Sequence, residues 1–362
     1  MASPSFIRRK WITSAGGKRV IPLLLLASGV ALLALVPLSV QSTYALHIMI
    51  LTFVSIIMGS AWNILGGYTG QYSVGHAAYF GVGAYTTMIL LQFRHIAPWY
   101  GMWAGVGMTI VTALIIGSIC FRLRGPYFVL ASIAVAEIFR VSALNLTHLT
   151  NGAEGILVTE LPVLKFGDSV ITDFSSKVPF FYVGMFTALV VIFVARGVEH
   201  SKLGYYFQAI REDQDAAHSL GINPTLYKII ALVISAMFTS VAGSLYAVYV
   251  GFIDPGTVFS LDVSVQIVTI AIIGGIGTIL GPVIGAIVLV TLSEALRSNA
   301  LTNALIHAGL VRADSRVGIF LKENLSHAHV LIYGILVVIV ILFMPDGLFG
   351  FGRRLVTRKR KS

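Results

Sequence analysis

Asn63, Gln71, Ser73 and His76 fall within a stretch that otherwise reads as membrane helix. It runs from Gly59 to Phe93 as G-S-A-W-N-I-L-G-G-Y-T-G-Q-Y-S-V-G-H-A-A-Y-F-G-V-G-A-Y-T-T-M-I-L-L-Q-F and also carries Gly66, Gly67, Tyr68, Gly70, Gly75, Gly81 and Gly83. Amides, a hydroxyl and an imidazole among glycines can line a passage for a charged solute. A lipid-facing helix has no use for them, because hydrocarbon offers no water to satisfy polar or broken backbone. The stretch is therefore expected to face a protein-lined cavity. The small-xxx-small pair Gly66/Gly70 offers close helix packing as the alternative, which accounts for the glycines but not for the amides and the imidazole. His76 could titrate near neutral pH; satisfying a neighbouring carbonyl is its simpler role.

A second glycine-rich stretch comes late, A-I-I-G-G-I-G-T-I-L-G-P-V-I-G over residues 271–285. Like the first, it places a Gly-Gly pair (Gly274-Gly275) after an apolar run. Paired glycine-interrupted segments in the two halves of a transporter point to discontinuous helices at a central substrate site. The spacing Gly277, Gly281, Gly285 fits close helix contact equally well.

Other chemistry is sparse. His47, His76, Glu137 and Glu294 are scattered, with no H-E-x-x-H spacing and no metal-ligand cluster, which argues against an intramembrane metalloenzyme. An ion-coupled secondary transporter, a rival reading, would want several intramembrane carboxylates, and only Glu137 and Glu294 qualify. Glu137 and Arg140 are one helical turn apart and suit a mutual ion pair. The single Cys120 excludes an intramolecular disulfide. No G-x-x-x-x-G-K-[ST] phosphate loop occurs, since Gly16-Gly17-Lys18 lacks the earlier glycine and the following hydroxyl residue.

The elements that must position these residues are membrane spans. The 362 residues are 57% hydrophobic and 11% charged, with mean hydropathy +0.88, whereas soluble domains carry about 25% charged residues. The expected fold is an all-α integral membrane protein with about ten transmembrane helices, each needing roughly 20 apolar residues. They fall at residues 20–40, 46–65, 77–93, 99–121, 127–143, 179–194, 229–250, 263–280, 282–296 and 328–344. The first run is kept as a span because no small-residue cleavage site follows it. Net charge is +10. Arg8, Arg9, Lys10, Lys18 and Arg19 near one end, and Arg353, Arg354, Arg358, Lys359, Arg360 and Lys361 near the other, place both termini in the cytoplasm and leave nucleic-acid binding unnecessary. The organisation is then a basic cytoplasmic segment over 1–19, a transmembrane domain over 20–344 and a basic cytoplasmic tail over 345–362. Residues 195–228 form a cytoplasmic loop, and 144–178 and 297–327 lie on the outer side. Arg124 with Gly125-Pro126-Tyr127 reads as a cytoplasmic turn, with Tyr127 at the inner exit.

Within the large cytoplasmic loop, residues 207–220 lack glycine and proline and predict one short surface helix, stopped by Gly221 and Pro224. Such a helix could transmit force from a cytosolic partner, or be a solvated loop. Asp215-Ala216-Ala217-His218-Ser219-Leu220-Gly221 resembles the E-A-A-x-x-x-G loop by which permeases of bacterial ABC importers contact their ATPases, with Asp215 in place of glutamate. Residues 63–85, Leu123-Arg124-Gly125-Pro126-Tyr127-Phe128, 150–155, Ala209-Ile210-Arg211-Glu212-Asp213, 274–285 and Met344-Pro345-Asp346-Gly347-Leu348 together resemble the LivM-type permease family of branched-chain amino acid ABC importers. These blocks stand in the family's order over roughly residues 45–350.

The resemblance implies a permease subunit, not itself an enzyme, in a bacterial inner membrane. Its implied partners are a LivH-like sister permease, LivG-like and LivF-like ATP-binding subunits, a periplasmic substrate-binding protein and membrane lipid. It implies no cofactor on this chain, with ATP and Mg²⁺ used by the partner ATPases. The cargo expected is a branched-chain or related amino acid; urea, short amides and aromatic acids are served by similar permeases. A zwitterion crossing the bilayer must have both charged ends solvated, and broken helices supply free amides and carbonyls for that. The expected pathway residues are Asn63, Gly66, Gly67, Tyr68, Gln71, Ser73, His76, Tyr127, Gly274, Gly275 and Gly277, with the first helix break at 66–73. The expected ATPase-coupling residues are Arg211, Glu212, Asp213, Asp215, Ala217 and Gly221, with Ala217 small enough for close approach to a partner groove.

Overall fold

The computed structural model describes residues 42–158, 164–166, 169–172 and 176–297, with residues 29, 31–37, 39, 334, 335, 338, 342 and 347–350. The expected span 328–344, the outer segment 297–327, most of the span 20–40 and the basic ends lie largely outside the described residues. The chain divides into two units, Met1–Leu46, of which residues 31–37 are helical, and His47–Ser362.

Ten helices of six or more residues are fully described: α1 (Thr43–Thr69), α2 (His76–Arg94), α3 (Pro98–Cys120), α4 (Pro126–Asn145), α5 (Lys177–Glu199), α6 (Lys202–Glu212), α7 (Gln214–Ser219), α8 (Pro224–Val250), α9 (Leu261–Gly274) and α10 (Gly281–Arg297). Their ends follow from local chemistry. Proline at the first turn opens α3, α4 and α8, a position where its missing N–H has no helical partner to lose. Asn223 caps α8 by accepting from Leu226 N–H at 3.2 Å, and Ser260 caps α9 through Val263 N–H at 3.3 Å.

The helices pack through small residues. A Cβ on Gly83 would sit 2.3 Å from the Ser240 carbonyl oxygen, and one on Gly243 would sit 2.0 Å from that of Phe80, so α2 and α8 touch backbone to backbone. Gly105 brings α3 against the same crossing. Such close approach is how membrane helices associate where apolar burial gives no advantage over lipid. Trp62, Ile57, Ile64 and Leu65 of α1 are fully buried, whereas Ile119 of α3, Leu130 and Ile138 of α4, and Phe186 and Phe193 of α5 are exposed apolar groups suited to lipid tails.

Among the described residues, six helical segments are long and apolar enough to cross a membrane: α1, α3, α4, α5, α8 and Pro255–Gly274. Eight expected spans fall on these residues. The expected span 77–93 is the helix α2, whose polar and glycine content keeps it outside that group. The expected span 263–280 is not one helix, because α9 ends at Gly274, where Gly275 takes φ 126° and ψ 102°. The last, α10, is apolar over only the shorter stretch Gly281–Ala295. The fold is also not purely helical. Ile156–Leu157 (β1) pairs antiparallel with Phe252–Ile253 (β4), and Leu164–Phe166 (β2) pairs with Ser169–Thr172 (β3).

The connections fall into two groups. Residues 70–75, the turn at 121–125, α6 with α7, and residues 275–280 come together at one end of the bundle, joined by contacts described below. The β1–β4 pair and the connections around it lie at the other end, where Val158 N–H donates to Gly251 O at 2.8 Å. The first group is the set that the charge pattern assigns to the cytoplasm.

Candidate functional site

The first glycine-rich stretch breaks later than its sequence suggests. Gly66 and Gly67 lie inside α1, and the chain leaves the helix at Gly70, where φ is +70°, re-entering at His76. The intervening backbone is satisfied by protein groups. Trp62 Nε1 donates to Ser73 O at 2.7 Å, Val74 N–H to Ser132 Oγ at 2.9 Å and Ala77 N–H to Ser264 Oγ at 2.9 Å. His76 is fully buried, with Nδ1 3.1 Å from Ser73 Oγ and Nε2 2.8 Å from Ser235 Oγ. Two serine hydroxyls, rather than a carbonyl, hold the imidazole. Ser235 belongs to a buried stripe of small residues on α8 with Thr239 and Gly243; the four-residue spacing of that stripe is readable in the sequence.

The second stretch is interrupted over residues 275–280, and the two interruptions meet. Asn63 Oδ1 accepts from Gly277 N–H at 2.8 Å, and Asn63 Nδ2 donates to Thr278 O at 3.0 Å. One side-chain amide thus replaces a strand-like pair of backbone bonds. Gly67 makes room, since a Cβ there would sit 2.0 Å from Asn63 Oδ1 and 2.8 Å from Gly277 N. Gly274 lies at the root of the α9–α10 hairpin, where an added Cβ would fall 1.8 Å from Gly281 O. Gly66 accommodates the Trp62 ring in the same way. Tyr68 is buried and its hydroxyl has no partner among the described residues, Gln71 is half-buried, and Tyr127 is exposed at the start of α4.

The expected single surface helix is two helices. Asp213 is extended (φ −155°, ψ 113°), and its carboxylate accepts from the N–H groups of Asp215 and Ala216, both at 2.9 Å. It therefore ends α6 and caps α7. The preference of aspartate for helix N-caps was the sequence signal for this division. Gly221, at φ +84°, closes α7: its N–H donates to His218 O at 2.9 Å, and Ile222 N–H reaches back to Ala217 O at 3.1 Å, the paired bonds of a Schellman stop. Ala217 is only 2% exposed, so its small side chain serves packing inside the loop. The positions open to a partner are Asp215, Ala216, His218, Ser219 and Leu220.

Besides the buried Phe207 of α6, which belongs to the apolar core of the bundle, three polar side-chain contacts fasten this helix pair. Arg211 Nη1 donates to Gly67 O at 2.8 Å. Lys228, one turn into α8 and 1% exposed, donates through Nζ to Gln214 Oε1 at 2.5 Å. Arg124 pairs with Asp215 at 3.1 Å on the exposed surface. Glu212 is exposed. Lys228 was not singled out from sequence, although a cation one turn after Asn223-Pro224 is unusual at the mouth of an apolar helix.

A separate cavity of about 170 Å³ opens among α1, α2, α8, α9 and α10. Leu51, Val54, Met58, Phe80, Val263 and Val290 give it apolar walls, and Ser55, Tyr246, Thr257, Gln266, Ser293 and Glu294 give it polar groups. None of the pathway residues chosen from sequence lines it. The Glu137–Arg140 pair is formed on α4, with Arg140 Nε donating to Glu137 Oε2 at 2.9 Å. Among the described residues no group of three or more His, Cys, Asp or Glu side chains could hold a metal ion.

The bundle, its two helix breaks and the external helix pair at one end define a multi-pass membrane protein. The family described as branched-chain amino acid transport system / permease component matches residues 44–342, and the chain belongs to it. It is 29% identical over 279 residues to the high-affinity branched-chain amino acid transport system permease protein LivM of Escherichia coli (strain K12), covering 72% of this chain and 65% of that protein. The Salmonella typhimurium LivM matches to the same extent, so the chain spans about two thirds of the length of these relatives. It is also 25% identical over 319 residues to the E. coli (strain K12) permease protein LivH, covering 82% of this chain and 94% of that protein. Similarity to BraD of Pseudomonas aeruginosa is 25% over 325 residues, 86% of this chain and 93% of that protein. No solved structure matches this chain.

Proposed function

We propose that this chain is the membrane-spanning permease subunit of an ATP-driven importer of branched-chain or related amino acids in a bacterial inner membrane. It works with a sister permease resembling LivH, two ATP-binding subunits that use ATP and Mg²⁺, and a periplasmic binding protein. The observation that carries this reading is the external helix pair α6–α7. It exposes Asp215, Ala216, His218, Ser219 and Leu220 outward while bonding inward to α1, α8 and the 121–125 turn. An element so placed has little reason to exist in a transporter that works alone, because it adds exposed surface without enclosing cargo.

The cavity supports the cargo class. Its aliphatic and aromatic walls suit a branched side chain, and Gln266, Ser293 and Glu294 give it polar groups for the charged ends of an amino acid. Solvating both charged ends is the main demand on any membrane route for a zwitterion. The glycine breaks then form the gate at the end of the route nearest the helix pair.

The test is uptake of radiolabelled leucine, isoleucine and valine into proteoliposomes holding the whole complex, with its binding protein outside and ATP supplied to the ATPase side. Import of at least one, dependent on ATP hydrolysis, is expected. Import that persists without the ATP-binding subunits would overturn the reading.

A further inference from the structure

We infer that Arg211 is the positioning residue through which movement of the α6–α7 pair reaches both broken helices; this rests on the importer reading above. The three fastenings of the helix pair differ in what they join. Arg124–Asp215 links two exposed surface groups. Lys228–Gln214 links the pair to α8, which runs unbroken from Pro224 to Val250. Arg211 alone touches the two interruptions.

Its partner explains why an arginine stands there. Gly67 is among the last four residues of α1, whose carbonyls have no acceptor role left inside the helix and where the helix dipole favours a cation. A guanidinium donates from a rigid plane, so the contact fixes position. Arg211 is exposed on one side, and three glycines border the other. A Cβ on Gly70 would meet Arg211 Cγ at 3.2 Å, and a Cβ on Gly277 would meet Arg211 Nη1 at 2.8 Å. Gly67 supplies the carbonyl itself. Gly70 and Gly277 both have positive φ, +70° and +75°, so any other residue would strain the backbone as well as crowd the arginine.

The route from the external surface to the gate is therefore short and continuous. α7 is capped by Asp213, which follows α6 directly. α6 carries Arg211, which holds the end of α1 and lies against Gly277. Four residues back along α1, Asn63 clamps the same 277–278 turn. A displacement of the helix pair must carry both breaks with it or break the Arg211–Gly67 bond.

The experiment compares wild-type, Arg211→Ala, Arg211→Lys and Gly277→Ala forms of the full complex in proteoliposomes, measuring amino acid uptake and binding-protein-stimulated ATP hydrolysis on the same preparations. Losing one hydrogen bond from a charged donor sets the scale, so Arg211→Ala is expected to lower uptake about tenfold while hydrolysis stays within about twofold. Arg211→Lys should recover uptake to within about threefold, because an ammonium can still reach Gly67 O. Gly277→Ala should separate uptake from hydrolysis as Arg211→Ala does. Wild-type uptake in Arg211→Ala overturns the inference, as does an equal fall of uptake and hydrolysis in an assembled complex. If Arg211→Ala does not assemble, Arg211→Lys decides by the same criterion of unequal against equal loss. A wild-type complex with no ATP-dependent uptake sinks the importer reading itself, a different result from any of these.

Discussion

At residues 70–75 the backbone is bonded from inside the bundle by Trp62 and Ser132, Ser264 holds the Ala77 N–H that follows, and His76 is locked between Ser73 and Ser235. Residues 275–280 are half-buried or exposed after Gly275 and, among the described residues, are held by Asn63, by a threonine of their own turn (Thr278 Oγ1 to Gly275 O, 2.8 Å), by the neighbouring Arg211 and by Gly347 packed against Gly275. The two stretches look alike as sequence, each a Gly-Gly pair after an apolar run. In space, one is a joint whose polar groups are answered by several helices, and the other is a more exposed turn held mainly by one side-chain amide and close glycine contacts. Local stability tracks such differences in burial and bonding, so the second is the part suited to move.

The comparison can be broken most forcefully at the hairpin root. Gly274→Ala places a Cβ 1.8 Å from a backbone oxygen, where neither side can yield, and should destabilise at or beyond the upper end of about 1–3 kcal/mol. A sharp fall in folded yield and in Tm of the detergent-solubilised protein is the expected result.

Asn63→Ala and His76→Ala sharpen it. Each removes a buried side chain holding one break, at a cost on the order of 2 kcal/mol. Amide hydrogen exchange should accelerate at residues 275–280 in the first variant and at 70–75 in the second. Equal acceleration at both breaks in either variant would show that they are one unit.

The smallest effect is expected from Arg124→Ala. Both partners of this ion pair are largely exposed, and such pairs contribute about 0–1 kcal/mol. Tm should barely shift, and uptake by the whole complex should match wild type; a large uptake defect would make this tether, rather than Arg211, the important one.

Much of the external helix pair was legible in the chain. A glycine- and proline-free run ending at Gly221 predicts helix, and Gly221 terminates it. Its division at Asp213 was also available, because aspartate is among the residues most favoured at a helix N-cap. The burial of Ala217 was not: a small residue suits an internal contact and a partner groove alike, and only the neighbours distinguish them. The same holds for Gly66, Gly67 and Gly274. Glycine in a membrane helix announces close approach but not to what, and here the approaching groups are Trp62, Asn63 with Gly277, and Gly281. The cavity bearing Gln266, Ser293 and Glu294 went unread because its polar residues are spread across α9 and α10 without a local pattern.

Composition and the period of apolar runs determined the solvent, the helical class and the grouping of connections at two ends, because hydrocarbon imposes those constraints residue by residue along the chain. Which groups meet across 144 positions, as Arg211 and Gly67 do, or across 214, as Asn63 and Gly277 do, was decided only by the packed bundle. A hydrogen bond depends on tenths of an ångström between atoms that the linear order leaves unrelated, and no local propensity encodes that distance.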